Sequence, residues 1–154
     1  MFDEMRRGDR RLSNLETESI LSAGEYGVLS TVGEDGYPYG VPVNYIYRNG
    51  RIYFHCAALQ GKKLKNIQFS DKVCFTVVTQ AEVLPRELST RYESAVIFGR
   101  ARRVGEGKQE VLRALCARFA ADDSEQIERA LKTQTESTDV IEITPEYISG
   151  KGRK

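Results

Sequence analysis

The sequence has 154 residues, of which 40% are hydrophobic and 29% are charged, and it suits one domain with its own core. The net charge of +1 argues against a broad nucleic-acid-binding surface, because such surfaces need a basic excess to neutralise phosphates. One histidine and three separated cysteines cannot complete a usual zinc site. With no signal peptide or long apolar run, the sequence predicts a protein of the reducing cytoplasm.

The N-terminal region predicts a basic arm, residues 1–12, followed by a short helix. The arm carries Arg6, Arg7, Arg10 and Arg11, and a solvated tail is its simplest interpretation. Ser13 and Glu16 have the spacing of a capping box, which predicts a helix from about Leu15 to Ala23 that stops at Gly24.

Strand signals dominate the next part of the chain. Tyr26–Val32 is rich in β-branched and aromatic residues, and a glycine-bounded turn follows it. Tyr37–Arg48 alternates in polarity and predicts one strand. Asn49-Gly50 predicts a type I′ turn, so Arg51–Cys56 is expected to pair back as the next strand.

The remaining elements are predicted from periodicity and from turn residues. We expect a helix from Gly61 to about Phe69, a strand over Lys72–Thr79, a loop over Gln80–Arg91, and a strand over Ser94–Val104 with a bend or a close backbone approach at Gly99. Two helices follow in a segment spanning residues 107–133, namely Lys108–Phe119 and Ser124–Lys132, the second of them after Asp122 and Asp123. The last strand is expected at Asp139–Thr144, before a glycine-rich basic tail that ends at Lys154. Six strands, most of them joined by tight hairpins, indicate a mainly β (α+β) fold built on an antiparallel barrel with flanking helices.

The predicted start of the second helix has an unusual charge. Ordinary helices favour acidic residues in the first turn, whereas this one carries Lys62, Lys63 and Lys65. Because helix N-termini also offer unpaired N–H groups, the segment predicts a phosphate site, with Gly61 allowing close approach of the ligand. Lysines that simply face solvent remain the alternative.

Other candidate residues are less specific. His55, the only histidine, suits a structural hydrogen bond, a contact to phosphate or substrate, or catalysis. The tyrosines at positions 37, 39, 45 and 47 suit either ring stacking or a half-buried barrel wall. No nucleophile, zinc-protease or nucleotide-loop motif is present, so an enzymatic reaction would depend on a cofactor.

Several segments together resemble the pyridoxamine 5′-phosphate oxidase-like FMN-binding family, and within it the nitroimidazole-resistance branch. The segments, in chain order, are Val41-Pro42-Val43-Asn44-Tyr45, Asn49-Gly50, Tyr53-Phe54-His55-Cys56-Ala57, Gly61-Lys62-Lys63, Val73-Cys74-Phe75, Tyr92 to Gly99, and Ile148-Ser149-Gly150-Lys151. The resemblance runs from about Tyr26 to Lys151. It implies a split β-barrel and a homodimer that binds FMN at the subunit interface.

The resemblance also implies cofactor-binding roles for particular residues. Lys62 and Lys63 match the element that binds the FMN phosphate, and the strand end with His55, Cys56 and Ala57 contacts the same group. The remaining residues implied to contact the flavin are Val43, Asn44 and Tyr45 beside the ring, Ser94 at a flavin-contacting position, and Gly150 and Lys151 from the partner subunit. The oxidases themselves end in an Arg-containing segment that Ser149 to Lys154 does not reproduce, which argues against pyridoxamine phosphate oxidation.

These observations predict an FMN-dependent oxidoreductase that reduces a small acceptor such as a nitroaromatic compound. No catalytic side chain, metal, nucleic-acid partner or membrane partner is assigned. A non-catalytic flavin or haem carrier or sensor is the main alternative, with His55 as the available haem ligand. A cofactor-free dimeric scaffold and a deazaflavin enzyme also remain open.

Overall fold

The computed structural model describes residues 2–59, 61–120 and 123–153. Met1 of the arm, Gln60, Ala121, Asp122 and Lys154 of the tail lie outside these ranges. The helices are α1 (Asn14–Ala23), α2 (Lys62–Phe69), α3 (Lys108–Phe119) and α4 (Ser124–Gln134). The strands are β1 (Tyr26–Val32), β2 (Pro38–Asn44), β3 (Ile46–Arg48), β4 (Arg51–Ala57), β5 (Lys72–Leu84), β6 (Ser89–Arg103) and β7 (Thr138–Arg153).

Local sequence signals account for many of these boundaries. Ser13 and Glu16 form the predicted capping box at the start of α1. Asn49 and Gly50 both have positive φ, as a type I′ turn requires, and they join β3 to β4. Gly99 lies where a side chain would collide with the carbonyl of Thr144 on β7, which confirms the predicted close backbone approach.

All seven strands belong to one antiparallel sheet with the order β2-β1-β5-β6-β7-β4-β3. The two edge strands, β2 and β3, are consecutive in the chain and are separated only by Tyr45. The sheet therefore curls until its edges meet at Tyr45 without closing by hydrogen bonds, and the result is a split barrel. The expectation of six strands was wrong, because Tyr45 turns into the core and divides the predicted strand Tyr37–Arg48 in two.

Two predictions about irregular segments were also wrong. Gln80–Arg91 is mostly strand, because β5 and β6 continue as an exposed hairpin around a 3₁₀ turn at Pro85–Glu87. Most of its side chains face solvent, so no buried face produced an alternating pattern. The glycine-rich tail is also strand, since β7 extends through Arg153 and pairs with β6 as far as Tyr92.

The hydrophobic core has two parts. The larger part fills the barrel and includes Leu29, Phe54, Phe75 and Ile97. The smaller part lies outside the barrel, where α3 and α4 pack on β3, β4 and β7. The two late helices therefore flank the barrel, as the sequence predicted. None of the helices in the described part of the chain has the length and apolar character needed to cross a membrane.

Candidate functional site

The start of α2 carries backbone donors and two lysines, of which Lys62 is exposed and Lys63 is half-buried. Gly61 is the N-cap residue, and no side chain caps the helix or places an acidic group in its first turn. Lys62 and Lys63 occupy that turn, while Leu64 and Ile67 pack into the barrel core and fix which side of α2 faces out. Because uncapped N–H groups and the helix dipole favour anions, this end of α2 is suited to a phosphate group.

A carboxylate that the sequence analysis did not connect with this site lies beside Lys62. Asp35, in the turn between β1 and β2, forms an exposed ion pair with Lys62. The hydrogen bond from Lys62 lowers the pKa of Asp35, so its carboxylate is charged at neutral pH. Asn66 of α2 donates a 2.9 Å hydrogen bond to the hydroxyl of Thr31 and holds the helix against β1. No local sequence pattern marks a contact between two segments this far apart in the chain.

His55 and Cys56 are neighbours on β4 but face opposite sides of the sheet. The Cys56 side chain belongs to the barrel core, and burial raises the pKa of its thiol. The His55 side chain is accessible to solvent on the outer face, yet local desolvation and the charge of Lys63 lower its pKa. Its imidazole is therefore neutral at neutral pH. For Cys56, only backbone groups remain available to a ligand.

The three candidates at the end of β2 differ in what they expose. Val43 is half-buried against the core, whereas Asn44 is exposed and donates a 2.9 Å hydrogen bond to the Glu25 carbonyl. The Tyr45 side chain is fully buried, and its hydroxyl donates a 2.6 Å hydrogen bond to the carbonyl of Leu21. Burial raises the pKa of Tyr45 to about 12. The Tyr45 ring is thus barrel core and not a free stacking surface.

Ser94, Gly150 and Lys151 meet where β6 and β7 pair. Ser94 lies opposite Lys151, and its hydroxyl donates a 3.3 Å hydrogen bond to the Lys151 carbonyl. Gly150 packs against Thr17 of α1 so closely that any side chain there would collide with the threonine hydroxyl. The structure therefore brings these three residues together beside α1.

This second group lies toward the opposite end of β7 from the part that pairs with His55. His55 pairs with Val140 near the start of β7, whereas Lys151 lies near the end of that strand. The path along β7 between these positions is about 35 Å, taking roughly 3.3 Å per residue. The candidate residues thus form two groups that lie toward opposite ends of β7.

The pair α3 and α4 covers the outer face of β4 next to His55. A small cavity of about 70 Å³ lies between them, lined by His55, Leu112, Cys116, Leu131 and Thr135, among others. This volume has room for a few atoms only. The helical pair therefore lies beside His55, whose side chain stays exposed.

A further charged cluster, which sequence reasoning missed, lies at the other end of β4. Glu142 is buried, and its carboxylate accepts hydrogen bonds from Arg102 Nε at 2.7 Å and from the Tyr53 hydroxyl at 2.9 Å. Arg51 lies 3.9 Å from the same carboxylate. Burial alone would raise the pKa of Glu142, but Arg102 and Tyr53 outweigh it and lower that pKa. The charge of Glu142 is thus satisfied within the chain.

Comparisons with known proteins agree with this fold. A family model described as pyridoxamine 5′-phosphate oxidase matches residues 13–152. The structure is similar to that of a candidate 5-nitroimidazole antibiotic resistance protein from Bacteroides thetaiotaomicron, with 22% identity, TM-score 0.75, and coverage of 92% of this chain and 85% of that one. It is also similar to an FAD and heme binding protein from Mycobacterium smegmatis, with 18% identity, TM-score 0.80, and coverage of 94% and 74%.

A third similar structure is that of an FAD-binding protein from Mesorhizobium loti, with 21% identity, TM-score 0.71, and coverage of 94% of this chain and 98% of that one. At these identities the three solved structures establish a shared fold. The search of curated proteins found no match.

Proposed function

Because the chain belongs to the pyridoxamine 5′-phosphate oxidase family, we propose that it binds FMN and works as an FMN-dependent oxidoreductase on a small acceptor such as a nitroaromatic compound. One observation carries the proposal. The uncapped start of α2, with Lys62 and Lys63 in its first turn, is an anion site at the position where the family resemblance places the FMN phosphate.

The residues at α2 fit a phosphate monoester. Lys63 forms no ion pair with any carboxylate of the described residues, and the single partner of Lys62 is the exposed Asp35. Burial lowers the pKa of His55, and the nearby charge of Lys63 lowers it further, so Lys63 also acts on the end of β4. A dianionic phosphate would offset this charge and would satisfy the free N–H groups of the first turn.

We further propose that the functional unit is a dimer of two copies of this chain. The outer face of β1, β2 and β5 is uncharged at its centre, where it carries Val28, Ser30, Gly40, Pro42, Cys74 and Thr76. Val28 and Val32 are exposed on this face, which suits burial against a second copy. A partner would also supply Ser94 and Lys151 to a flavin whose phosphate is held at α2, since these residues lie toward the opposite end of β7 from His55.

In this proposal the chain binds and orients the cofactor and supplies no assigned acid or base. Bound FMN supplies transfer of hydride or of single electrons. Lys62, Lys63 and the first-turn N–H groups hold the phosphate, and the neutral His55 offers an additional hydrogen bond. Asn44, from its own chain, and Ser94 and Lys151, from the partner, offer polar groups to the flavin ring.

A carrier or sensor that binds flavin or haem without turnover is the second candidate. The observation that favours it is His55, whose accessible, neutral imidazole has the protonation state required of an axial haem ligand. The Mycobacterium smegmatis protein of the same fold is described as binding both FAD and heme.

Absorption spectroscopy of the purified protein separates these functions. Flavin bands together with turnover of a nicotinamide donor and a nitroaromatic acceptor are the expected result. Flavin bands without turnover would assign the protein as a carrier, and a Soret band lost in His55→Ala would assign a haem protein. Colourless protein that rejects both FMN and haem would exclude both proposals and favour a scaffold.

A further inference from the structure

The N-terminal arm is docked on the sheet, although the sequence favoured a solvated tail. The Phe2 ring stacks on Phe98 and on Tyr147, with ring-centroid distances of 5.3 and 5.1 Å. Phe98 and Tyr147 pair across β6 and β7, so the Phe2 ring bridges both strands on one face of the sheet. At its other end, the arm returns to the sheet, where Arg11 forms an antiparallel backbone bridge with Lys151.

The end of β7 lacks a second strand partner among the described residues. β4 pairs with β7 only as far as Ile143, so beyond that residue β6 is the one strand beside it. The arm occupies the open edge, where the Leu12 amide donates a 3.0 Å hydrogen bond to the Gly150 carbonyl. Strand edges that no neighbour covers open more readily than central strands. The arm therefore supplies part of the restraint that β4 gives to the first half of β7.

Two glycines make this restraint important for Lys151. Gly150 and Gly152 flank Lys151, and glycine has more backbone freedom than any other residue. The Leu12 side chain packs against both of them, since a Cβ atom added at either glycine would lie 3.1 Å from Leu12. Leu12 also packs against the barrel core. The arm thus holds the backbone on both sides of Lys151.

We propose that the N-terminal arm positions Lys151 for the flavin, with Leu12 as the direct contact and Phe2 as the anchor that keeps the arm docked. This role rests on the proposed function, in which Lys151 offers a polar group to a flavin bound across two copies of the chain. A loosely held Lys151 would lose more conformational entropy on binding, so undocking of the arm should weaken flavin binding. Phe2 acts through Lys151 and is therefore a positioning residue.

Hydrogen exchange of the flavin-free full-length protein, measured by mass spectrometry, tests whether the arm holds the end of β7. Amides in residues 147–153 should exchange faster in Phe2→Ala than in the wild type, and Phe2→Tyr, which keeps the ring, should restore slow exchange. Phe119→Ala is the matched control, because it removes from α3 a phenylalanine of nearly the same exposure, 42% against 41%. Unchanged exchange in Phe2→Ala, or an equal increase in Phe119→Ala, would overturn the proposal.

FMN affinity tests whether the arm acts through Lys151. Phe2→Ala should weaken FMN binding about two- to tenfold, the range that loss of an aromatic stack allows. Phe2→Tyr and Phe119→Ala should bind FMN as the wild type does. Lys151→Ala should also weaken FMN binding, and Phe2→Ala added to Lys151→Ala should cause no further loss, because both changes remove the same contact.

The outcomes separate this role from the flavin function itself. Wild-type protein that binds no FMN would overturn the flavin function and this role of Lys151 with it. FMN binding that Phe2→Ala leaves unchanged would overturn the role of the arm alone. Additive losses of affinity in the double variant would show that the arm does not act through Lys151, and would equally overturn the proposal.

Discussion

The two ends of β4 carry charged clusters that differ in how their charge is balanced. At the first end, Glu142 is buried and accepts hydrogen bonds from Arg102 and Tyr53, with Arg51 nearby. At the far end, β4 leads into α2, where Lys63 has no described carboxylate partner and Lys62 has only an exposed one.

In the proposed function, this difference separates charges that stabilise the fold from charges that bind a ligand. A buried carboxylate with hydrogen-bonded partners contributes to stability, and removing its charge leaves those partners without their acceptor. Exposed cations at a helix start lower helix stability slightly, because they oppose the dipole. Changes at Glu142 should therefore reduce stability, whereas changes at α2 should reduce ligand affinity.

The largest effect is expected for Lys62→Ala/Lys63→Ala. Loss of two charge-assisted contacts to phosphate should weaken FMN binding by at least about 100-fold, at roughly 1.5–3 kcal/mol per contact. Fluorescence titration of flavin-free protein measures this effect. Lys65→Ala removes one positive charge from the same helix outside its first two positions, and as the control it should bind FMN nearly as the wild type does. If the double variant melts at a much lower temperature than Lys65→Ala, the two lysines stabilise the fold, which would contradict the difference between the two ends of β4.

The next largest effect is expected for Glu142→Gln. The variant should lose about 1–2 kcal/mol of unfolding free energy at neutral pH, a value reduced because Arg51 and Arg102 are themselves exposed. The pKa of Glu142 is lowered in the folded protein, so its contribution is present above the ordinary value of 4.5 and is lost as pH falls through the folded value.

Urea unfolding at neutral pH and below pH 4.5 tests this pH dependence. The difference between wild type and Glu142→Gln should shrink in acid, because protonated glutamate resembles glutamine. FMN affinity should be the same in both proteins. A loss of FMN affinity with unchanged stability would contradict the separation between the two ends of β4.

Features of the fold that neighbouring residues determine were predictable from the sequence. Features that depend on pairing between distant segments were not. The capping box at Ser13 and the turn at Asn49-Gly50 are set by neighbouring residues, so their sequence signals sufficed. The extension of β5 and β6 through Gln80–Arg91 was missed, because its backbone pairing involves mostly exposed side chains. The break at Tyr45 was missed because alternation in polarity cannot show that one residue links two edges of a sheet.

In the candidate site, too, only the residues that are adjacent in the sequence were predictable as a group. Lys62 and Lys63 are adjacent in the sequence, so their concentration at a helix start was visible without a structure. The pair between Lys62 and Asp35 required the turn after β1 to lie beside α2, which no spacing indicates. The separation of Lys151 from His55 followed only from the register of β7.

A smaller effect is expected for Asp35→Asn, which tests whether the one carboxylate at the start of α2 competes with the phosphate for Lys62. Removing this carboxylate frees Lys62 for phosphate, so FMN should bind about two- to fivefold more tightly, a small change because the pair is exposed and screened by solvent. Riboflavin, which lacks the phosphate, should show no change. Glu34→Gln removes a neighbouring exposed charge and serves as the control. Weaker FMN binding in Asp35→Asn would show that Asp35 instead holds Lys62 in its binding position.

The smallest effect concerns the pKa of His55, whose imidazole signals stand alone in NMR spectra because the chain has one histidine. In flavin-free protein the pKa should lie below 6.5, because desolvation and Lys63 both disfavour the charged form. Addition of FMN should raise this pKa, since a phosphate dianion offsets the charge of Lys63. As pH falls below 6.5, His55 should destabilise the flavin-free fold relative to His55→Asn. A pKa that FMN leaves unchanged would place the phosphate elsewhere.

The affinities of flavin-free protein for FMN and for riboflavin, measured under the same conditions, test the central claim most directly. The two ligands share the isoalloxazine ring and differ in the phosphate. If the cations at the start of α2 bind that group, FMN should bind at least about 100-fold more tightly than riboflavin, as two charge-assisted contacts predict. Equal affinities for FMN and riboflavin would contradict the account.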